Sequence, residues 1–350
     1  MPKRHGCASI LVLGRFKRKR EAGGRWSLKL RKHITNKQRI GETEYEAIRI
    51  HQYGGPEVLA QVEMQRPTPG HDEVLIKVHA AAVNPIDWKM RAGHVKEVFP
   101  LTFPSTLGWD VSGTVEERGD KARQFKPGDE VYALVEGGGY AEFVVANATV
   151  VAKKPRTLDH VHAAAVPVAG LTALQALFEV AQLRAGQRVL IHAAAGGVGN
   201  FAVQLAKAKG AYVIGTASSK NQAFLGELGV DKAVDYQKTR FEDAVRDVDV
   251  VLDTVGGETQ ERSFKVLKKG GILVSLVQPP SQESATKYGV RALFYGGHAS
   301  SSDLAEIAKL IDDGKVKPVV ETVLPLADAR RAHELSETGH ARGKIVLKVA

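Results

Sequence analysis

The sequence predicts an α/β protein that combines a β-rich domain with a doubly wound parallel sheet. Three observations predict it. Residues Arg188 to Lys220 spell an apolar strand, a glycine-rich turn, an Ala- and Leu-rich helix and a second apolar strand. Before Pro155, short strands alternate with frequent turns. After it, apolar strands are separated by segments of helix length.

The 350 residues carry a net charge of +10, but the charge is local. Residues 1–44 hold 13 Lys and Arg against three Glu, whereas the remainder holds 36 basic and 36 acidic residues. The body of the chain is therefore neutral. The basic segment includes Arg15-Phe-Lys-Arg-Lys-Arg20 and has no amphipathic period. It has three readings: an arm for nucleic acid or an acidic surface, an Arg-rich organelle presequence, or a disordered extension. The third is preferred, so residues 1–45 are set aside as a basic extension. A cytoplasmic location is expected, with a mitochondrial one as the alternative. Beyond Phe16 and Trp26 the arm lacks aromatic interleaving, so nucleic acid is not an expected partner. The only cysteine, Cys7, lies in this segment, which excludes a disulfide within the chain and a four-Cys zinc lobe. No apolar run approaches the ~18 residues of a membrane span.

From Glu46 the pattern becomes regular. Ala47 to Ile50 reads as a strand, followed by a turn at Tyr53-Gly54-Gly55-Pro56. Val74, Ile76 and Val78 alternate with polar residues, as in a half-buried strand. Further strands are expected at Val111–Glu116, Glu130–Leu134 and Tyr140–Val145, with a Pro-Gly turn at Lys126 to Asp129. Helices are expected at Ala163–Ala165 and Leu171–Ala181. Beyond the nucleotide unit, strands are expected at Lys232–Val234, Val248–Asp253 and Ile272–Val277. Asp303 with Glu306 suggests a helix start, Leu304, Ile307, Ala308 and Ile311 its apolar face, and Gly314 its end. Val319 to Val349 returns to short strands and is expected to rejoin the first domain. The expected domains are 46–168 with 316–350, and 169–315.

The glycine-rich turn carries the first functional signal. Strand, turn, helix and strand form a dinucleotide-binding half-fold, with a pyrophosphate against the first N–H groups of the helix. Gly196, Gly197 and Gly199, with Val198 between them, make that approach possible; Ala194 stands where G-x-G-x-x-G has its first glycine. NAD sites commonly place an acidic residue after the second strand. Here Ser218, Ser219 and Lys220 follow Ala217. Hydroxyls and an ammonium suit a 2′-phosphate, so NADPH is the expected cofactor.

Several motifs together resemble the medium-chain dehydrogenase/reductase superfamily: Asn84-Pro-Ile-Asp-Trp88, Gly108-Trp-Asp-Val-Ser-Gly113, Lys126-Pro-Gly-Asp-Glu-Val131 and Ala193-Ala-Ala-Gly-Gly-Val-Gly199. Within it they look like the zinc-free quinone oxidoreductase branch. Gly339-His-Ala-Arg-Gly-Lys344 is similar to NADPH-dependent members related to the reticulon-interacting mitochondrial reductase. The resemblance covers about residues 46–350. It implies a GroES-like domain, a Rossmann domain, a cofactor in the cleft between them, and a homodimer. Zinc alcohol dehydrogenases of the same superfamily carry Cys where this chain has Asn84, and His-Glu where it has Trp109-Asp110. Their further Cys would fall near Pro167 or Val168. No metal ligand is therefore expected.

The resemblance also implies roles for individual residues. Asn84 and Asp87 would lie beside the nicotinamide, and Tyr53 at the mouth of the substrate cleft. Asn84 is equally readable as a turn residue before Pro85, and Asp87 as a buried buttress. Thr172, taken as lying at a helix start, would meet a phosphate, and Tyr236 would cover the adenosine phosphate edge. Val255, Leu276 and Val277 would line the nicotinamide side, with Phe294 nearby and Arg342 close to the cofactor. Each apolar one is equally plausible as core. The expected reaction is zinc-free hydride transfer from NADPH to a quinone or an α,β-unsaturated carbonyl (an enone). Zinc-free alcohol or aldehyde chemistry, and RNA binding through the basic arm, are the alternatives.

Overall fold

The computed structural model describes residues 44–349. The reading of residues 1–45 as an extension, and Cys7 with it, falls almost wholly outside them. Its last two residues do not: Glu44 and Tyr45 open the first strand, Glu44–Ile50, which pairs with Ala60–Gln65 and Ser105–Thr106. Tyr45 is buried against the edge of Phe143, and that packing draws the strand back past Glu46.

Seven strands form the first large sheet. Their order begins Val320–Pro325, Lys344–Lys348, Glu73–Val83 and continues through Asp110–Arg118, Glu130–Leu134 and Val151–Lys153. Phe143–Asn147 pairs with the other half of Glu73–Val83. That long strand can serve three partners because its register shifts at Leu75/Ile76 and Val78/Ala80 bend it away from a flat ladder. Ile345 to Lys348 face Ala80 to Val83, so residues near the C-terminus complete a sheet that begins at Glu73.

The second sheet is parallel and six-stranded, in the order Lys232–Asp235, Tyr212–Ala217, Arg188–Ile191, Val248–Asp253, Leu267–Ser275, Arg291–Phe294. The central strands are mostly apolar because helices cover both faces. Val189, Ile191, Phe201, Leu205, Leu171 and Ile307 pack in one buried cluster. Each such side chain contributes roughly 1.5–3 kcal/mol by leaving water. No helix among the described residues is long and apolar enough to cross a membrane.

Three helix starts differ from expectation, the one expected at Ala163 lying at His160. The helix Pro167–Leu174 begins at its proline, so Thr172 lies in its last turn and not at a start. Proline suits a first helical position because its missing N–H has no partner to lose there. The helix Ser301–Asp312 is capped by Ser300, whose hydroxyl accepts from the Asp303 N–H at 3.2 Å. Asp303 is thus no cap; its carboxylate accepts from Gln175 at 2.8 Å.

Several bonds join the two sheets. The Tyr132 hydroxyl donates to Leu304 O, and the Val168 N–H to Asp110 Oδ1 at 2.6 Å. The Gly343 N–H donates to Ala195 O at 3.0 Å, and Gly343 forms a parallel bridge with Gly196.

Candidate functional site

The strand Arg188–Ile191 ends in the glycine turn, and Gly196 caps the helix Gly197–Ala208. The left-handed residue of this turn is Ala193, at φ 45°, one position before the alanine that replaces the first glycine. At Gly199 a Cβ would lie 2.3 Å from Ala193 O, so any side chain would push the helix off the turn. Asn200 donates to Gly196 O and Gly197 O at 2.7 and 2.8 Å and locks the first turn. Sequence reasoning missed Asn200. The bare backbone and the N-terminal end of a twelve-residue helix fit a pyrophosphate.

The end of the second strand is polar and open. Ser218 caps a short 3-10 turn, and Lys220 is exposed and makes no ion pair among the described residues. A carboxylate is nevertheless close by: Asp235 lies opposite Ala217 in the ladder. It accepts from the Ser219 hydroxyl at 2.5 Å and from the Gln237 N–H at 3.0 Å. The Ser219 bond comes first among the causes that hold its carboxyl below the usual range. The absence of a carboxylate after the second strand therefore describes that strand alone; the third supplies one, turned onto Ser219. Tyr236 follows it and is exposed. Arg342 stacks its guanidinium 5.3 Å above the Phe224 ring. Phe224 belongs to the helix Gln222–Glu227, directly after Lys220, so Arg342 comes to the same corner.

The remaining cofactor candidates separate by exposure. Val255 and Phe294 are 51% and 52% exposed, and Val277 is also open, all just beyond or at the carboxyl ends of parallel strands. Open α/β sheets bind ligands outside those ends. These three are not core. Leu276 is half-buried and packs on the core. Thr172 lies under Gly297, where a Cβ would meet its hydroxyl at 2.6 Å.

Asn84 and Asp87 belong to the start of the helix that follows Glu73–Val83, and Tyr53 to the loop after Glu44–Ile50. Asn84 caps the helix Pro85–Arg91, and its N–H donates to Asp87 Oδ2 at 2.7 Å. The Tyr140 hydroxyl donates to the same oxygen at 3.0 Å, and Asp87 Oδ1 is buried without a partner. Burial, the largest cause, pushes the Asp87 carboxyl up to about 7, against the lowering effect of those two bonds. Tyr53 packs edge-on against Phe103, and its hydroxyl oxygen accepts from the Leu101 N–H at 3.1 Å. Arg91, fully buried, donates to Gly54 O at 3.1 Å and so fixes the loop beside Tyr53.

The side chain of Asn84 points to a group that sequence reasoning missed. Its amide donates to Asp110 Oδ2 at 2.9 Å. The Lys344 ammonium donates to Asn84 Oδ1 at 2.5 Å and to Asp110 Oδ2 at 3.0 Å. All three side chains are buried. The stem of Lys344 runs past Gly197, where a Cβ would sit 3.1 Å from its Cδ.

Asn84, Asp110 and Val168, at or beside the positions where the resemblance implies metal ligands in zinc members, meet here. Their chemistry does not fit zinc. A carboxamide, the Trp109 indole and a backbone N–H replace the expected donors. The one carboxylate is already shared by an ammonium and two N–H groups.

Comparison with known proteins bears on this site. Residues 70–156 match the family described as alcohol dehydrogenase GroES-like domain, and residues 228–347 that described as zinc-binding dehydrogenase. The mitochondrial NAD(P)H oxidoreductase RTN4IP1 of Mus musculus is 38% identical over 348 residues, covering 86% of this chain and 88% of its own. The quinone oxidoreductase of Coxiella burnetii shares the fold at a TM-score of 0.82 and 40% identity, over 88% of this chain and all of that one. The Escherichia coli quinone oxidoreductase complexed with NADPH follows at 0.80 and 29%, over 87% and 100%.

Proposed function

The chain belongs to the quinone oxidoreductase branch of the medium-chain dehydrogenase/reductase superfamily, and from that premise we propose that it is an NADPH-dependent reductase acting on quinones or enones without zinc. The observation that carries the zinc-free part is the closed Asn84–Asp110–Lys344 cluster, whose polar atoms are already engaged with one another. Bound at the glycine turn, NADPH supplies the hydride. Quinones and enones accept hydride without a Lewis acid because the charge delocalises onto their carbonyl oxygen.

The protein's own work is then orientation and exclusion of water. The helix Gly197–Ala208 receives the pyrophosphate, and Ser218, Lys220 and Arg342 face the 2′-phosphate. Val255, Val277 and Phe294 form the apolar wall on the nicotinamide side. Tyr53 has its oxygen fixed by Leu101, which leaves the hydroxyl proton to donate to a substrate carbonyl. Asp87, enclosed by Asn84 and Tyr140, acts as the buttress of this corner. Solvent supplies the proton that completes reduction.

The test is turnover of a panel of quinones and enones with NADPH, with metal analysis of the same protein. One tightly bound zinc per chain, with activity lost to chelation, overturns the reading. So does a panel in which only alcohols or aldehydes react.

The homodimer belongs to the same reading. Arg291–Phe294 is an edge strand, with Leu293 exposed on it, and a second copy is the occupant proposed for that edge. Light scattering that gives the mass of one chain refutes it. For location, the mitochondrial alternative gains support from the name of the mouse relative. Imaging the full chain beside a chain that starts at Glu44 decides between mitochondrial and cytoplasmic placement.

A further inference from the structure

The Lys344 ammonium is buried, comes from a strand more than two hundred residues after its partners, and contacts Asn84, which is expected beside the nicotinamide, and the buried Asp110. Its stem also touches Gly197, the first residue of the glycine-led helix. Gly343, its neighbour, is bonded to Ala195 and bridged to Gly196. One residue thus contacts the coenzyme turn with its carbons and the catalytic corner with its charge.

We propose that Lys344 is a positioning residue: its ammonium is the built-in cation of this corner, taking the place where other members of the superfamily hold a metal, and it fixes Asn84 relative to the glycine turn. The inference rests on the proposed reductase activity. Without the cation, Asn84 Oδ1 loses its donor and Asp110 becomes a buried, unbalanced carboxylate. The Asn84 amide is then held only by its bond to Asp110. Its separation from the turn that carries the coenzyme is no longer set by a single side chain. Misplacement on this scale affects the chemical step more than binding, because the glycine turn that receives the dinucleotide is left intact.

The experiment uses the full chain with Lys344→Met, which keeps the stem and removes the charge, and with the double variant Lys344→Met/Asp110→Asn. In Lys344→Met, kcat is expected to fall about ten- to a hundredfold. The NADPH dissociation constant, read by protein fluorescence, is expected to stay within about threefold, as suits a residue acting through another. The double variant, with neither charge, is expected to recover the thermal stability lost in the single variant but not kcat. If Lys344→Met is too unstable to assay, the double variant gives the same kcat reading.

A kcat within about twofold of wild type overturns the proposal, as does a kcat restored together with stability in the double variant. A loss confined to NADPH affinity overturns it too, because the ammonium would then serve the pyrophosphate. Failure of the functional reading looks different: the wild type oxidises NADPH with no acceptor in the panel. The inference is then decided in denaturant by a cycle of Lys344→Met with Asn84→Ala. Additive effects show that Lys344 does not hold Asn84, and coupling shows that it does.

Discussion

The two charged corners of this molecule are built in opposite ways. Ser218 and Lys220 lie two positions apart, half-buried and exposed respectively, and the Lys220 ammonium has no ion pair among the described residues. Asn84, Asp110 and Lys344 come from three distant stretches and are closed away from water. An exposed charge costs little to maintain and acts on what arrives from solution. A buried charge is costly unless every partner is present, so it acts on the protein's own geometry. One corner is suited to selecting a coenzyme, the other to fixing a distance.

The largest expected effect comes from breaking the closed corner. Asp110→Ala leaves the Lys344 ammonium buried and unpaired, and urea unfolding is expected to show a loss of about 3–5 kcal/mol. Lys220→Ala, in the open corner, is expected to change stability by less than about 0.5 kcal/mol. Similar losses for both would erase the distinction between the corners.

Coenzyme kinetics sharpen the contrast from the other side. Lys220→Ala is expected to raise the KM for NADPH about ten- to a hundredfold and to leave NADH nearly unchanged. Ser218→Asp is expected to do more, since it adds repulsion to the loss of a donor. Asp235 already lies at this corner but is turned onto Ser219, so its repulsion is weaker than that of an acid placed at Ser218. Equal losses for the two coenzymes would assign the 2′-phosphate to another group, with Arg342 the first to test.

Acid–base behaviour gives a smaller effect. The Asp87 carboxyl is raised in the folded protein to about 7, chiefly by burial. Its stabilising contribution is therefore complete below the ordinary carboxylate value of 3.8 and is lost as pH rises towards 7. His333, lowered to about 3 by burial and then by Arg91, works in the opposite direction, losing its contribution as pH falls. The comparison must therefore be made against Asp87→Asn and not on wild type alone. The stability of Asp87→Asn relative to wild type is expected to rise between pH 4 and about 7 in urea titrations. A flat difference would show that Asp87 stays ionised throughout.

Salt should produce the smallest change. At high ionic strength the preference for NADPH is expected to shrink, because Lys220 is exposed and screened. The unfolding cost of Asp110→Ala should hardly move, since that pair is shielded by protein.

The same contrast explains what was legible in the sequence. Residues Arg188 to Lys220 form a contiguous unit, and local spacing revealed its strands, turn and helix. The motifs of the first domain were visible as well, and the chain belongs to the branch they resemble. Local pattern failed where a signal was ambiguous or distant. The helix expected to start at Leu171 in fact begins at Pro167. In Ser300-Ser301-Ser302 three hydroxyls compete, and spacing alone did not identify Ser300 as the cap. Asp235 meets Ser219 through a ladder between strands, which a reading confined to the end of one strand does not include. Lys344 lay inside a quoted motif, yet nothing in Gly-His-Ala-Arg-Gly-Lys shows that its lysine is buried. Only the pairing of Ile345–Lys348 with Ala80–Val83 carries it to Asn84.

That pairing also places the corner in time. Asn84 and Lys344 are separated by 260 positions along the chain. Translation adds about 5–20 residues per second, so roughly 10–50 s pass on the ribosome between them. For the last 234 of those positions Asp110 is without its cation, and the strand Glu73–Val83 has an open edge where Lys344–Lys348 will pair. The nascent first sheet therefore carries an unpaired edge until its last strand is made, the kind of edge that invites pairing with another chain.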